Sequence, residues 1–245
     1  MKADGFIECR RLYKSMGGKA VLRGVNLTVE QGETMVILGG SGVGKTVLLK
    51  HMNGLIVPES GEVFLDGLEI SRMKEEDLRD VRKKVAMVFQ GCALFDSLTV
   101  GENVAYPLNE HTGLSSKEIL DRVREVLSLV RLEGSENLYP GEISGGMRKR
   151  AALARALALN PKGLLYDEPT TGLDPVMTRR INKLIRELQK KLAVTSVVVT
   201  HDIESAFAVA DRLAFLQEGQ IRFVGTREEF QDSADLRLHA FLSTG

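Results

Sequence analysis

One segment constrains this chain more than any other: Gly39-Gly40-Ser41-Gly42-Val43-Gly44-Lys45-Thr46. It fits the pattern G-x-x-x-x-G-K-[ST]. An apolar run, Thr34 to Leu38, precedes it, and a helical pattern from about Lys45 to Asn53 follows. Glycines let successive backbone N–H groups turn inward as an anion nest, and the following helix aims its positive end at the same point. In such a loop Lys45 would reach the β- and γ-phosphates of a nucleotide, and the Thr46 hydroxyl would bind Mg2+. A strand, this loop and a helix in succession call for an α/β fold with phosphates at the carboxyl edge of its sheet.

The rest of the chain reads in the same terms. Phe6 to Tyr13 and Val21 to Val29 have strand character, with Gly17-Gly18 as the turn between them. Glu62 to Leu65 reads as a strand ending in an Asp66-Gly67 turn, Lys74 to Arg82 as a helix, and Val85 to Phe89 as a strand. From about Gln90 to Ala158 the pattern is mostly helical. Ser116 to Val130 carries apolar residues at helical spacing, with Ser115 or Ser116 as its cap. Alternation then resumes: strand 164–166, helix 175–192, strand 197–200, helix 203–210, and strands 213–216 and 221–224 joined by Glu218-Gly219. This pattern predicts a largely parallel sheet with a helical insertion.

Charge and composition narrow the partners. The 245 residues hold 33 Lys plus Arg against 33 Asp plus Glu, so the net charge of zero gives no electrostatic reason for a nucleic-acid partner. The clusters Arg82-Lys83-Lys84 and Arg148-Lys149-Arg150 read as solvated helix faces. No apolar run approaches the roughly 18 residues of a membrane span, and Met1 to Phe6 lacks a signal-peptide core. Cys9 and Cys92 form no metal-type pair, so the cytosol is the expected compartment. Any action on a membrane would run through a partner.

Three further features carry chemistry. Leu164-Leu165-Tyr166 is an apolar strand ending in Asp167-Glu168. Two carboxylates beside phosphates are tolerable where Mg2+ offsets their charge; Asp167 would orient the metal or its water and Glu168 would polarise the attacking water. His201 directly follows the strand Val197 to Thr200, so it too falls at the carboxyl edge and is placed to contact a γ-phosphate. Ser144 caps an Ala-rich helix whose start carries Arg148, Lys149 and Arg150. Cations sit poorly at a helix N-terminus, so an anion docking there would make sense of them. Cys92 reads as a small loop residue rather than a redox switch.

The whole set resembles an ABC-type nucleotide-binding domain. Gly39 to Thr46 matches Walker A, Gln90 the Q-loop, and Ile143-Ser144-Gly145-Gly146-Met147 the Leu-Ser-Gly-Gly-Gln signature. Tyr166-Asp167-Glu168-Pro169 matches Walker B, Gly172-Leu173-Asp174 the D-loop, and His201 the switch histidine. The resemblance implies a P-loop NTPase core with a mixed or parallel sheet, an N-terminal antiparallel β subdomain and an inserted helical subdomain. Residues 1–89 and 159–245 would form the core with its β subdomain, and about 90–158 the helical signature subdomain. It implies ATP and Mg2+ as cofactors, with Glu168 and His201 catalytic and Thr46, Gln90 and Asp167 holding the metal. It implies a head-to-tail dimer in which Ser144, Gly145, Gly146, Met147 and Asp174 of one copy complete the site of the other. An aromatic residue usually stacks on the adenine; the equivalent position here is Met16, with Tyr13 three residues earlier.

A finer resemblance lies in Phe89 to Val100, Glu102 to Leu108, Glu110-His111-Thr112 and Ser144 to Ala156. These segments look like the ATPases of the Mla/Mce-type lipid transport systems, in which Met147 is not unusual. That resemblance implies an MlaE-like permease, an MCE-domain substrate-binding protein, phospholipid cargo, and a place on the cytoplasmic face of the inner membrane. Another ABC importer, a soluble ABC ATPase and a P-loop kinase stand as alternatives.

Overall fold

In the computed structural model, residues 5–233 and 235–242 are described. Two sheets share the molecule. The larger has six strands in the order β10-β9-β3-β8-β7-β6, namely Gln220–Gly225, Arg212–Gln217, Thr34–Leu38, Thr195–Thr200, Gly163–Asp167 and Val85–Val88. Its strands run parallel except β10, which pairs antiparallel with β9 at the edge. The smaller sheet is antiparallel: β1 (Ile7–Met16) lies between β2 (Lys19–Val29) and β4 (Ser60–Leu65), and the short β5 (Leu68–Glu69) closes the edge. Gly17 and Gly18 both take positive φ in the β1–β2 turn, a conformation that costs glycine nothing.

Why β3 and β8 read as unbroken apolar runs is now plain. Every residue of both strands is buried, because helices or the second sheet cover each face. Side chains alternate across the pleat. Val36, Leu38, Tyr166, Val198 and Phe215 enter one hydrophobic core, and Met35, Ile37, Leu165, Val197 and Val199 enter the other. The first core holds α3 (Val100–His111), α4 (Ser116–Leu129), α5 (Gly145–Leu157) and α6 (Pro175–Leu192); the second holds α1 (Lys45–His51), α2 (Glu75–Lys84) and the small sheet.

Helix starts follow local chemistry. Thr99 with Glu102 and Ser115 with Glu118 form capping boxes on α3 and α4, so the cap is Ser115 rather than Ser116. Asp202 caps α7 (Ile203–Val209). The short β5, α8 (Arg227–Gln231) and α9 (Leu236–Leu242) were not anticipated; they are too brief to show a period.

Candidate functional site

The loop from Gly39 leaves the buried end of β3 and turns into α1 at Lys45. Gly42 (φ 76°) and Gly44 (φ 107°) take left-handed backbone, which strains any other residue. A Cβ at Gly39 would strike the Leu216 carbonyl oxygen, and one at Gly44 would strike Val21. Glycine is therefore required by space as well as by torsion. Lys45 is only 6% exposed, and its ammonium donates to the Gly39 and Gly40 carbonyls at 2.9 and 3.0 Å. It also lies 3.4 Å from Glu168 Oε1.

Strands β6, β7 and β8 deliver the other groups to the same edge. Asp167 ends β7, and its Oδ1 accepts the Thr46 hydroxyl proton at 2.7 Å. Glu168 follows with φ 48°, a strained backbone of the kind that gathers at functional sites. Its amide donates to the Val199 carbonyl, which holds it beside β8. Glu168 is 8% exposed, yet its Oε2 receives two donors: His201 Nδ1 at 2.9 Å and the Thr171 hydroxyl at 3.2 Å. A carboxylate only accepts, so Nδ1 carries the proton in this pair. Gln90 stands just beyond β6, exposed, with its carbonyl taken by the buried Lys149 ammonium at 2.6 Å.

Ser41, Gly42, Gly44, Lys45, Thr46, Gln90, Glu168 and His201 line one cleft of about 430 Å3, joined by Met16, Val21 and Val47. A nest of glycine-shaped backbone beside an ammonium suits a polyphosphate. The adjacent Thr46 hydroxyl and Asp167 carboxylate are hard oxygen donors of the kind Mg2+ takes while keeping several waters. Met16 is on the cleft wall and Tyr13 is not; the Tyr13 hydroxyl instead covers Gly24.

Other expected site residues lie elsewhere in the same chain. Ser144, Gly145, Gly146, Met147 and Asp174 do not line the cleft. Ser144 is exposed and its hydroxyl accepts the Met147 amide as the cap of α5. Asp174 is exposed and caps α6 through the Val176 and Met177 amides at 2.8 and 3.0 Å. The two segments touch: a Cβ on Gly146 would collide with the Met177 methyl.

One expectation needs correcting: the basic clusters are not merely solvated faces. The cations at the start of α5 have partners within the chain. Arg148 donates to Ile143 and Pro140 carbonyls, Lys149 to Gln90, and Arg150 to the Val130 and Arg131 carbonyls beyond α4. Intrachain carbonyls therefore occupy them, and neither they nor Arg82 form a merely solvated face; Arg82 pairs with Glu75 and reaches the Gly54 carbonyl. Cys92 is buried with its thiol pushed up by desolvation, as suits a small loop residue and not a redox switch.

Sequence reasoning missed Thr171 and Val21, and the bond from Lys149 to Gln90. Thr171 had a faint signal, a hydroxyl three positions past Glu168. The Lys149 bond had none, since its partner carbonyl is 59 positions away.

Comparison with known proteins agrees with this geometry. Residues 22–171 match the ABC transporter family. The chain is 42% identical to the intermembrane phospholipid transport system ATP-binding protein MlaF of Haemophilus influenzae, over 98% of this chain and 90% of that one. It is 43% identical to the probable ribonucleotide transport ATP-binding protein mkl of Mycobacterium tuberculosis, over 97% of this chain but 66% of the relative's length. Among solved structures it is similar to the ATP-binding cassette MJ0796 in a dimeric post-hydrolysis state with ADP and Pi, with a TM-score of 0.82, 34% identity, and 90% and 98% of the two chains covered. The chain belongs to the ABC transporter family, as an ATP-binding subunit that hydrolyses ATP.

Proposed function

We propose that this subunit uses ATP hydrolysis to drive phospholipid transport through an MlaE-like membrane permease. The observation that carries the reading is the 42% identity to MlaF along nearly the full length of both chains. A permease partner is supported by an apolar groove of about 360 Å3 lined by Leu55, Phe89, Phe95, Tyr106 and Pro107, beside the segment that follows Gln90. Phe95 and Tyr106 are large, exposed and in contact at 4.9 Å between ring centroids, which fits a docking face. An MCE-domain protein would present lipid to that permease. Among the described residues no helix is long and apolar enough to cross a membrane. The likeness to MlaF supports a peripheral place on the cytoplasmic face of the inner membrane, held by the permease.

In this reading residues 1–89 and 159–245 are the ATP-binding core and 90–158 the helical part that faces both partners. Gly39 to Thr46 hold the phosphates. Lys45 supplies a charge that is already desolvated, so it contacts phosphate strongly. Thr46, Asp167 and Gln90 would hold Mg2+, which offsets phosphate charge, with Asp167 acting through water. Glu168 takes the proton of the attacking water. His201 and Thr171 fix the Glu168 carboxylate in place through Oε2. Ser144 to Met147 and Asp174, which do not line their own cleft, serve the cleft of a second copy; the dimeric cassette relative supports that arrangement.

Isolation of the tagged protein from its native membranes tests the reading. A permease and an MCE-domain protein should copurify, and the reconstituted complex should move labelled phospholipid only with ATP. Copurification with the permease of a ribonucleotide importer would favour the second reading, to which the 43% identity with the mycobacterial relative points. Comigration with ribosomes or DNA would remove transport altogether.

A further inference from the structure

Four polar side chains near the site, three buried and Asp202 partly so, have no part in the scheme above. Asn182 on α6, Ser205 on α7, and Thr170 are 5%, 4% and 6% exposed, and Asp202 joins them. Ser205 is the hub. Its hydroxyl donates its one proton to Asp202 Oδ2 at 2.6 Å, and its amide donates to Asp202 Oδ1 at 3.1 Å. That proton being committed, the Asn182 amide must donate to Ser205 Oγ, at 2.9 Å. Thr170 Oγ1 lies 3.5 Å from the same oxygen.

The positions of these partners in the chain matter. Asp202 is the residue after His201, and Thr170 is two residues after Glu168. Ser205 thus gathers a neighbour from each half of the Glu168–His201 pair. Asp202 caps α7 and its amide donates to the Thr200 hydroxyl, so the peptide after His201 is tethered to the residue before it. Asn182 connects the hub to α6, eight residues from the cap Asp174, or about 12 Å along a stiff rod at 1.5 Å per residue. A cleft of about 580 Å3 has Leu173, Pro175, Asn182, Asp202 and Ser205 on one wall, so the segment around Asp174 and the His201 loop share a surface.

We infer that Ser205, Asn182 and Asp202 are positioning residues that hold His201 in register with Glu168 and tie that register to the segment around Asp174. The inference rests on the roles given above to Glu168 and His201. Ser205 spends its proton on Asp202 and accepts from Asn182, and a mostly buried network satisfied in this way has one preferred arrangement. A second copy pressing on Asp174 would reach His201 through it.

ATP turnover by the full chain tests this with Ser205→Ala, Ser205→Thr, Asn182→Leu, His201→Ala and the Ser205→Ala/His201→Ala double variant. Ser205→Ala removes the hydroxyl's bonds to both Asp202 and Asn182 and should lower kcat about tenfold while KM for ATP stays within about twofold. Ser205→Thr keeps the hydroxyl and should recover most of kcat; Asn182→Leu should repeat the Ser205→Ala signature. In the His201→Ala background, Ser205→Ala should cost less than about twofold more, because both act through one group. Full kcat in Ser205→Ala overturns the inference. So do multiplicative losses in the double variant, or a joint shift of kcat, KM and melting temperature that threonine does not rescue. Wild-type turnover in His201→Ala is a different failure: it overturns the catalytic reading beneath.

Discussion

The phosphate loop and the signature segment are both glycine-rich junctions that open a helix, yet they are built in opposite ways. Gly39 to Thr46 is wired inward. Its lysine is buried, its threonine is bonded to Asp167, and a side chain on Gly39 would strike backbone. Among the described residues, Ser144 to Met147 is bonded within its own turn, with Gly146 against α6 and Met147 packed on the first core. Ser144 is exposed, its hydroxyl meets only the Met147 amide among the bonds described, and Gly146 abuts the tip of a flexible methionine. The difference teaches what a half-site looks like. One half is preorganised for charge; the other is a surface shaped to approach something, and in the proposed dimer that something is the other copy's nucleotide.

The comparison can be broken, most forcefully at the hydrolytic centre. Glu168→Gln should lower turnover by about 10^2–10^4-fold, the usual worth of a positioned base, while ATP still binds. Single-turnover hydrolysis beside equilibrium ATP binding measures this; near-normal hydrolysis would rule Glu168 out as the base. Next comes the other half-site. Ser144→Arg should weaken ATP-driven dimerisation by at least about tenfold, ~1.4 kcal/mol, yet leave monomer affinity for ATP within about threefold. Sedimentation with and without ATP reads the first and calorimetry the second. Loss of ATP from the monomer would place Ser144 in its own cleft and end the contrast.

Smaller effects sharpen it. Gly39→Ala forces a methyl against the Leu216 carbonyl and should cost about 1–3 kcal/mol of stability. Gly146→Ala meets only the Met177 methyl, which can swing aside, and alanine's helix preference offsets the rest, so its change should stay below about 1 kcal/mol. Urea midpoints compare the two, and equal losses would mean that both junctions are equally rigid. The smallest effect is at Asp174. Backbone amides of Met177 and Val176 hold its carboxyl below the ordinary 3.8. A group whose folded value is depressed stabilises above its unfolded value and loses that contribution as pH falls through the folded value. Acid unfolding should therefore show slightly less pH dependence below about 4 in Asp174→Asn, which keeps the cap without the charge.

Much of the site was legible because its signals are local. Strand, glycine loop and Lys-Thr pair lie within about a dozen residues. So do the apolar run and carboxylates of β7, and the capping residues Ser115 and Ser144. Those patterns alone place Lys45, Thr46, Asp167, Glu168 and His201 at one sheet edge. The reading of the α5 cations as a solvated face failed because their carbonyl partners lie on other segments, which no local rule reveals. The short C-terminal helices escaped because five to seven residues hold too few turns to show a period.

The sequence by itself determined the fold class, the phosphate loop and the family, since each depends on residue order over short spans. Tertiary structure alone decided which groups meet. Thr46 reaches Asp167 across 121 positions, Glu168 reaches His201 across 33, and Asn182 reaches Ser205 across 23. It also decided that Met16 rather than Tyr13 borders the cleft, and that Ser144 does not line it. Such pairings follow from strand order and helix packing, which bring distant residues within hydrogen-bond reach, and no local preference of the chain encodes them.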